Sequence, residues 1–423
     1  MIIVGLLTLL IKFIAFYKET LIASNFGLSE ILDTFLIAIL VPSFIQSVFI
    51  NSLKNIFIPN YILELKKNGN IQSLQTVILI ITLSISIFSV LIAYLTTDLL
   101  LEYIYPGHSS SYYQLIKSQL YILLPCLFLW GFSSIIKGFL EISNKFLIST
   151  VSDIFPLLTI IFFIFYFKNE LGHLVLTLGT LTGGVISLLF LIFFALKYKK
   201  LNLGRPTINE NTRLMIRQLP PKVSSSFLTA MNNYIDQFFA AQLMVGSIAA
   251  LNYGAKIPSF GITIIITALG NVLLPHFSTL VNNDLKGAYK QLFKTLKIVV
   301  GLGSVIALII ILTSDWIIEF LFEKNEFNHE DTLKVSLIQK ILILHLPFYI
   351  STLVIVKFLT SINKNKFMAW VSLLNLIVNC ILNYVLVKYF DVFGLAISTT
   401  SVLIISSFFY FGFTYKQYLK INK

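Results

Sequence analysis

Apolar residues fill this chain in long runs, not in the short periodic stripes of a soluble helix. Reading those runs against polar loop signals predicts helices near residues 2–24, 31–62, 73–97, 114–140, 145–167 and 173–197. A second six follow near 214–242, 247–280, 287–314, 332–361, 366–388 and 393–416. Each run reaches the roughly 20 residues that cross a bilayer core, and the longer ones imply tilt or extension into the interface. The pattern predicts an all-α polytopic membrane protein of about 12 transmembrane helices in two pseudo-symmetric six-helix lobes. The lobes are expected over 1–198 and 213–423, joined by a cytoplasmic linker, 199–212, inside the polar stretch Leu196 to Thr212.

The two halves echo one another. Val41-Pro42-Ser43-Phe44, with Asn55-Ile56-Phe57-Ile58-Pro59 downstream, returns as Ile257-Pro258-Ser259-Phe260 with Asn271-Val272-Leu273-Leu274-Pro275. Both prolines recur at one offset, 216 positions. An intrahelical proline removes a backbone hydrogen bond and kinks the helix, so Pro42, Pro59, Pro258 and Pro275 are expected to mark hinges. Duplicated bundles that bend alike are the layout of an alternating-access carrier.

Composition narrows the class further. The chain is 57% hydrophobic and only 12% charged, against about a quarter charged in soluble domains. The net charge of +12 lies mainly in alternate loops, which argues against nucleic acid as a partner. Lys66, Lys67, Lys145, Lys197, Arg205, Lys286, Lys364 and Lys416 fall on one side, and Asp98, Glu170, Asp315, Glu323 and Glu326 on the other. The basic side is expected to be cytoplasmic, and an even number of spans puts both termini there. The first run carries Lys12, Lys18 and Glu19 and lacks a cleavage site, which reads as a retained helix and not a signal peptide. Cys126 and Cys380 suggest neither a disulfide framework nor a metal site. There is no Walker A loop and no nucleophile–base set, so a non-enzymatic transporter without cofactors is expected.

Charges inside spans cost about 2.5–3.5 kcal/mol each, and their default reading is functional. Lys12 lies near the middle of the first span. Lys12 and Glu19 share a face but stand about two turns apart, and Lys18 points roughly a third of a turn from Glu19. Asp33 opens the second span, where capping or dipole complementation is the plainer reading. Asn51, Lys54 and Asn55 share one face, with snorkelling as the alternative for Lys54. Lys222, Asn232 and Asp236 form a polar stripe on the seventh span, where Asp236 either lines a cavity or pairs with a lysine. Lys256 precedes Pro258. Lys12, Lys18, Glu19, Asp33, Lys54, Lys222, Asn232, Asp236 and Lys256 are therefore the candidate substrate-binding residues. His345 and His276 read as structural, although a titrating histidine could couple transport to protons. The acidic stretch Glu323 to Asp331 reads as a solvated loop.

Taken together, these residues resemble the MurJ/MviN flippases of the multidrug/oligosaccharidyl-lipid/polysaccharide exporter superfamily. Ile11-Lys12-Phe13-Ile14-Ala15-Phe16-Tyr17-Lys18-Glu19 is similar to the family's S-R-x-x-G-x-x-R-[DE]. Ala23-Ser24-Asn25-Phe26-Gly27, Asp33-Thr34-Phe35 and Pro42 follow its next motif, and Gly246 to Lys256 and Leu269 to Pro275 follow two motifs of the second half. The resemblance implies two lobes forming a V around a central cationic cavity, in which Lys12, Lys18 and Lys256 replace arginines and Asp33 stands for a functionally important acid. It implies an undecaprenyl-diphosphate-linked saccharide as cargo, either the peptidoglycan precursor lipid II or a surface-polysaccharide repeat unit. The cargo would move from inner to outer leaflet of the bacterial cytoplasmic membrane. Membrane lipids and cell-envelope synthesis proteins are the implied partners, with coupling to membrane potential, H+ or Na+. The chain departs from the family in using lysine at every basic position, in placing Gln46-Ser47 where an arginine pair is usual, and in twelve counted spans against fourteen. A multidrug or cation antiporter of the superfamily, a membrane-embedded polymerase or glycosyltransferase, and a non-transporting scaffold are the alternatives. The antiporter predicts an acidic or aromatic cavity, the enzyme a large outer loop, and the scaffold harmless loss of the buried lysines.

Overall fold

A computed structural model describes the backbone of residues 2–421, and the side chains of these except 2, 100, 102–104, 233 and 263–272. The motif from Leu269 to Pro275 therefore lies largely outside the described side chains. The described residues are helical almost throughout and form no strand beyond a single bridge between Lys324 and Phe327. In chain order the helices are α1 (Ile2–Phe26), α2 (Glu30–Ile45), α3 (Asn51–Lys66), α4 (Ile71–Ile104), α5 (Ser110–Leu123), α6 (Cys126–Ile142), α7 (Phe146–Val151), α8 (Phe155–Leu171) and α9 (Val175–Lys197). They continue as α10 (Glu210–Ala240), α11 (Ser247–Gly254), α12 (Lys256–Asn283), α13 (Leu285–Phe322), α14 (His329–Ile343), α15 (Leu346–Ser361) and α16 (Asn365–Ile421).

Among the described residues, six helical stretches are long and apolar enough to cross a membrane, and the bent pair α14–α15 makes a seventh. Two of them, 52 and 57 residues long, are more than twice the length one crossing needs. Each is broken near its middle, at Gly172 (φ 53°, ψ −119°) and at Asp391 (φ 51°, ψ −134°). The predicted spans 2–24, 214–242 and 247–280 correspond to α1, α10 and α11–α12. Charges in α1 and the low apolarity of α10 keep these two outside the apolar set. The chain is a multi-pass membrane protein.

Backbone punctuation carries the repeat more widely than the prolines do. Gly172 and Asp391 lie 219 positions apart, as do Asn144 (φ 59°) and Asn363 (φ 57°). Each asparagine closes its helix in the left-handed region that its short polar side chain tolerates. The following amide then reaches back five residues, from Lys145 to the Leu140 carbonyl and from Lys364 to that of Leu359, both at 2.9 Å.

Proline sets where the helices break, because it cannot donate to the carbonyl four residues earlier. For Pro258 that carbonyl belongs to Gly254, the last residue of α11; for Pro347 it belongs to Ile343, the last residue of α14. The α14–α15 bend measures 40°. Pro42 behaves differently from its repeat mate. It stays inside α2, and the ladder re-registers through a π turn at Gln46–Ile50 before α3. Pro258 sits in the first turn of α12, where a missing N–H costs little, so the two expected kinks are not alike. Pro59 and Pro275 lie inside α3 and α12.

The chain divides into two compact units, residues 1–230 and 231–423. In the first, Leu53, Phe57, Phe139, Leu191 and Met215 share one core. Residues 200–211 are strapped along α3 and α4. Gln75 donates to the Lys200 carbonyl (2.8 Å) and accepts from the Asn202 amide (2.8 Å). Thr76 brackets Gly204, Ser73 brackets Thr207, and buried Glu64 accepts from Asn209 and Asn211, each at 2.7 Å. In the second unit, Phe277, Tyr289, Val354 and Phe358 anchor a core between α12, α13 and α15. A separate aromatic cluster, Tyr253, Phe322 and Phe327, ties the loop at 323–328 to α11. That loop is ordered by an Asn328–Asp331 capping box. There Thr332 donates to Glu323 at 2.6 Å and, with His329 alongside, holds the Glu323 carboxyl below the usual range.

Close packing makes one position in the first unit intolerant of any side chain. A Cβ on Gly183 would lie 2.5 Å from the Pro156 Cα, where α9 crosses α8. Gly183→Ala should therefore lower stability by about 1–3 kcal/mol, read as a fall in melting temperature of the purified protein in detergent. An unchanged melting temperature would contradict this packing.

Candidate functional site

In the first unit the predicted cations separate by what holds them. Lys12 is exposed near the midpoint of α1 and has no ion-pair partner among the described residues. Lys18 and Glu19 are bonded at 2.7 Å and are both mostly buried. The helical angle between them misled, because two long side chains can curl together across it. Asp33 is 2% exposed and lies one turn into α2. The N-cap is Ser29, whose hydroxyl accepts from the Leu32 amide, so Asp33 is not the cap. Lys54 does not snorkel either. It reaches α6 and sits 3.1 and 3.0 Å from the two carboxylate oxygens of Glu141, which also accepts from the Ser149 hydroxyl at 2.7 Å. Lys222 is half-buried on α10, within the first unit.

In the second unit the chemistry gathers around Asp236. Its Oδ1 accepts from the side-chain amides of Asn379 (3.0 Å) and Asn383 (2.8 Å), and its Oδ2 accepts from the Thr399 hydroxyl. Asn379 is held in turn by Ser398 at 2.9 Å. Three donors replace much of the water that a carboxylate loses inside a bundle. Asn232, one turn earlier, donates to the Ser372 carbonyl at 3.4 Å. Two cavities meet at this carboxylate. One, about 250 Å³, is lined by Asn232, Tyr349, Asn375 and Ser406; the other, about 320 Å³, by Gln237, Asn252, Lys256 and Ser259. Asp236 and Lys256 thus line one cavity, and the arrangement offers an anionic ligand a cation flanked by amide and hydroxyl groups. Among the described residues no cluster of three His, Cys, Asp or Glu side chains is placed to hold a metal ion.

Sequence reading left out the partners. Asn375, Asn379 and Asn383 recur every four residues in the apolar span 366–388, a stripe on one face that could have been found by spacing alone. Lys137 and Asp153, which form an ion pair, are charges inside predicted spans and meet the criterion applied to Lys12.

The fold is that of a multidrug/oligosaccharidyl-lipid/polysaccharide (MOP) superfamily transporter. A solved "Lipid II flippase MurJ, inward closed conformation" superposes with a TM-score of 0.83 over 100% of this chain and 90% of that one, at 22% identity. An inward-facing multidrug resistance MATE family transporter of that superfamily gives 0.82 over 97% and 94%, at 12% identity. The family is settled by sequence. The family model described as lipid II flippase MurJ matches residues 22–423, and the chain belongs to that family. It is 27% identical over 410 residues to a probable lipid II flippase MurJ of Buchnera aphidicola subsp. Acyrthosiphon pisum (strain APS), covering 93% of this chain and 79% of the relative. It is 24% identical over 434 residues to one from Rickettsia prowazekii (strain Madrid E), covering 100% and 84%.

The Asp236 network makes a prediction of its own. Asn383→Leu removes one donor from a carboxylate inside the bundle and should cost about 1–3 kcal/mol, measured as thermal unfolding in detergent. Combined with Asp236→Leu, which removes the acceptor as well, the loss should be much smaller than additive. Strict additivity would show that the two groups do not interact.

Proposed function

We propose that this protein is a flippase that carries an undecaprenyl-diphosphate-linked saccharide, lipid II in the first instance, from the inner to the outer leaflet by alternating access. The observation that carries the reading is the family match across residues 22–423, and the cavity shared by Lys256 and Asp236 is in keeping with it. The physical task is to move a diphosphate and sugars past about 30 Å of hydrocarbon. Lys12 and Lys256 supply the positive charge that stands in for water around the anion, Lys18 with its partner Glu19 and Asp33 set the local balance of charge, and Lys54, Lys222, Asn232 and Asp236 extend the polar surface. The prenyl tail remains in lipid.

The protein works in the bacterial cytoplasmic membrane with both termini and the basic loops inside. An inside-negative potential then favours outward movement of an anion by about 2.3 kcal/mol per charge per 100 mV, and this is the coupling we propose. The likeness to multidrug transporters concerns fold, and a row of lysines is poorly suited to cationic drugs.

The test is translocation of a lipid-linked saccharide in vesicles containing the purified protein, with and without an imposed potential. Lys12→Gln and Lys256→Gln should each lower the rate at least about tenfold with no loss of protein. Normal translocation by both would overturn the role of the lysines.

A further inference from the structure

A third cavity, of about 340 Å³, lies wholly within the first unit. Its wall combines Gln46 of the π turn, Asn51 and Lys54 of α3, Trp130, Ser133, Ser134 and Lys137 of α6, and Asp153, Gly184 and Ser187 from the segments packed on α6.

Two features define what would fit it. The first is charge. Both lysines are already neutralised by carboxylates, Lys54 by Glu141 at 3.0 Å and Lys137 by Asp153. The pocket therefore has no net charge to offer a bare anion. The second is unused hydrogen-bonding capacity. The side chains of Gln46, Asn51, Trp130, Ser133 and Ser134 make no hydrogen bond to any other described residue, and Ser133 is only 8% exposed. Together they present amide, hydroxyl and indole N–H groups with both donor and acceptor character. Gly184 packs beside this segment: a Cβ there would meet Leu129 Cδ1 at 3.2 Å and lie 3.9 Å from Trp130 Nε1. Neutral mixed donors and acceptors around one aromatic face match a sugar ring, whose hydroxyls donate and accept and whose C–H face packs on an indole.

We infer that this cavity is a saccharide subsite, which takes a neutral sugar ring of the lipid-linked cargo separately from its diphosphate. The inference rests on the flippase reading for the origin of the sugar, whereas binding itself can be tested without it. Trp316 and Trp370, both well exposed, are replaced by Phe so that Trp130 is the only tryptophan, and the protein is titrated in detergent with a lipid-free N-acetylated amino-sugar disaccharide. A saturable change in Trp130 emission is expected. Ser133→Ala, close in volume, should weaken it about tenfold, and inorganic pyrophosphate should not reproduce it. A response to pyrophosphate but not to the disaccharide overturns the inference, as does no response to either.

Vesicle transport separates this from the parent reading. Ser133→Ala should slow translocation of a prenyl-diphosphate disaccharide relative to a prenyl diphosphate without sugar. Equal slowing of both, or of neither, overturns the subsite while leaving the flippase intact. Failure of the unaltered protein to move either lipid overturns the flippase reading, and the fluorescence titration then decides the subsite alone.

Discussion

A polar group inside hydrocarbon must find its partner within the protein, and most of this structure follows from that demand. Lysines at membrane depth show it most directly. Lys18 meets Glu19, Lys54 meets Glu141, and Lys137 meets Asp153. Asp236 collects two amides and a hydroxyl. Taking one partner from such a set strands the other at a cost far larger than the pair contributes when intact. The ion pairs therefore act as constraints on which helices lie together more than as sources of stability. Lys54–Glu141 fixes α3 against α6, and the Asp236 set fixes α10 against both arms of α16.

The same demand governs the backbone. A proline leaves one carbonyl without its usual donor, and at Pro42, Pro258 and Pro347 the chain answers either by ending the helix or by re-registering it. Gly254 and Ile343 end their helices four residues ahead of Pro258 and Pro347. Pro42 takes the second course, with the π turn at Gln46–Ile50 placing Gln46 at the edge of the cavity in the first unit. A π turn carries a local excess of backbone, and such turns are often found at functional sites. This difference between two prolines that are equivalent in the repeat helps explain how a duplicated scaffold carries unlike sites in its two halves.

Much of the fold could be read from the sequence because hydropathy and turn chemistry act locally. The predicted runs near 73–97 and 287–314 sit inside α4 and α13, and the breaks at Asn144 and Asn363 fall in loops that the basic residues marked. The site was less legible, for a physical reason. A residue's depth in a span can be read from position, but its partner lies on another helix, 87 residues away for Lys54 and 163 for Asp236 with Thr399. The helical wheel also places Cα vectors and not the ends of long side chains, which is why Lys18 and Glu19 were set apart on paper and bond in the structure. The strap at 200–211 was opaque for a related reason. Its polar residues look like solvated linker until Gln75, Ser73 and Glu64, more than 120 residues earlier, are found to hold them.

These constraints separate two kinds of lysine, and the separation bears on how a diphosphate and its sugars could be handled. A lysine clamped by a carboxylate presents little net field, and its ammonium protons are partly used. A lysine such as Lys12, with no ion pair among the described residues, keeps both field and donors for an anion. Lysine also lacks the rigid fork of arginine, so its grip on a diphosphate depends on charge more than on geometry. A grip of that kind is easily entered and easily left, as a carrier requires. Recognition of the particular glycan then has to come from neutral groups of fixed position. In the first unit the amides and hydroxyls around Trp130 are neutral and share a cavity wall with Lys54 and Lys137, whose ion pairs remove them from competition for the anion.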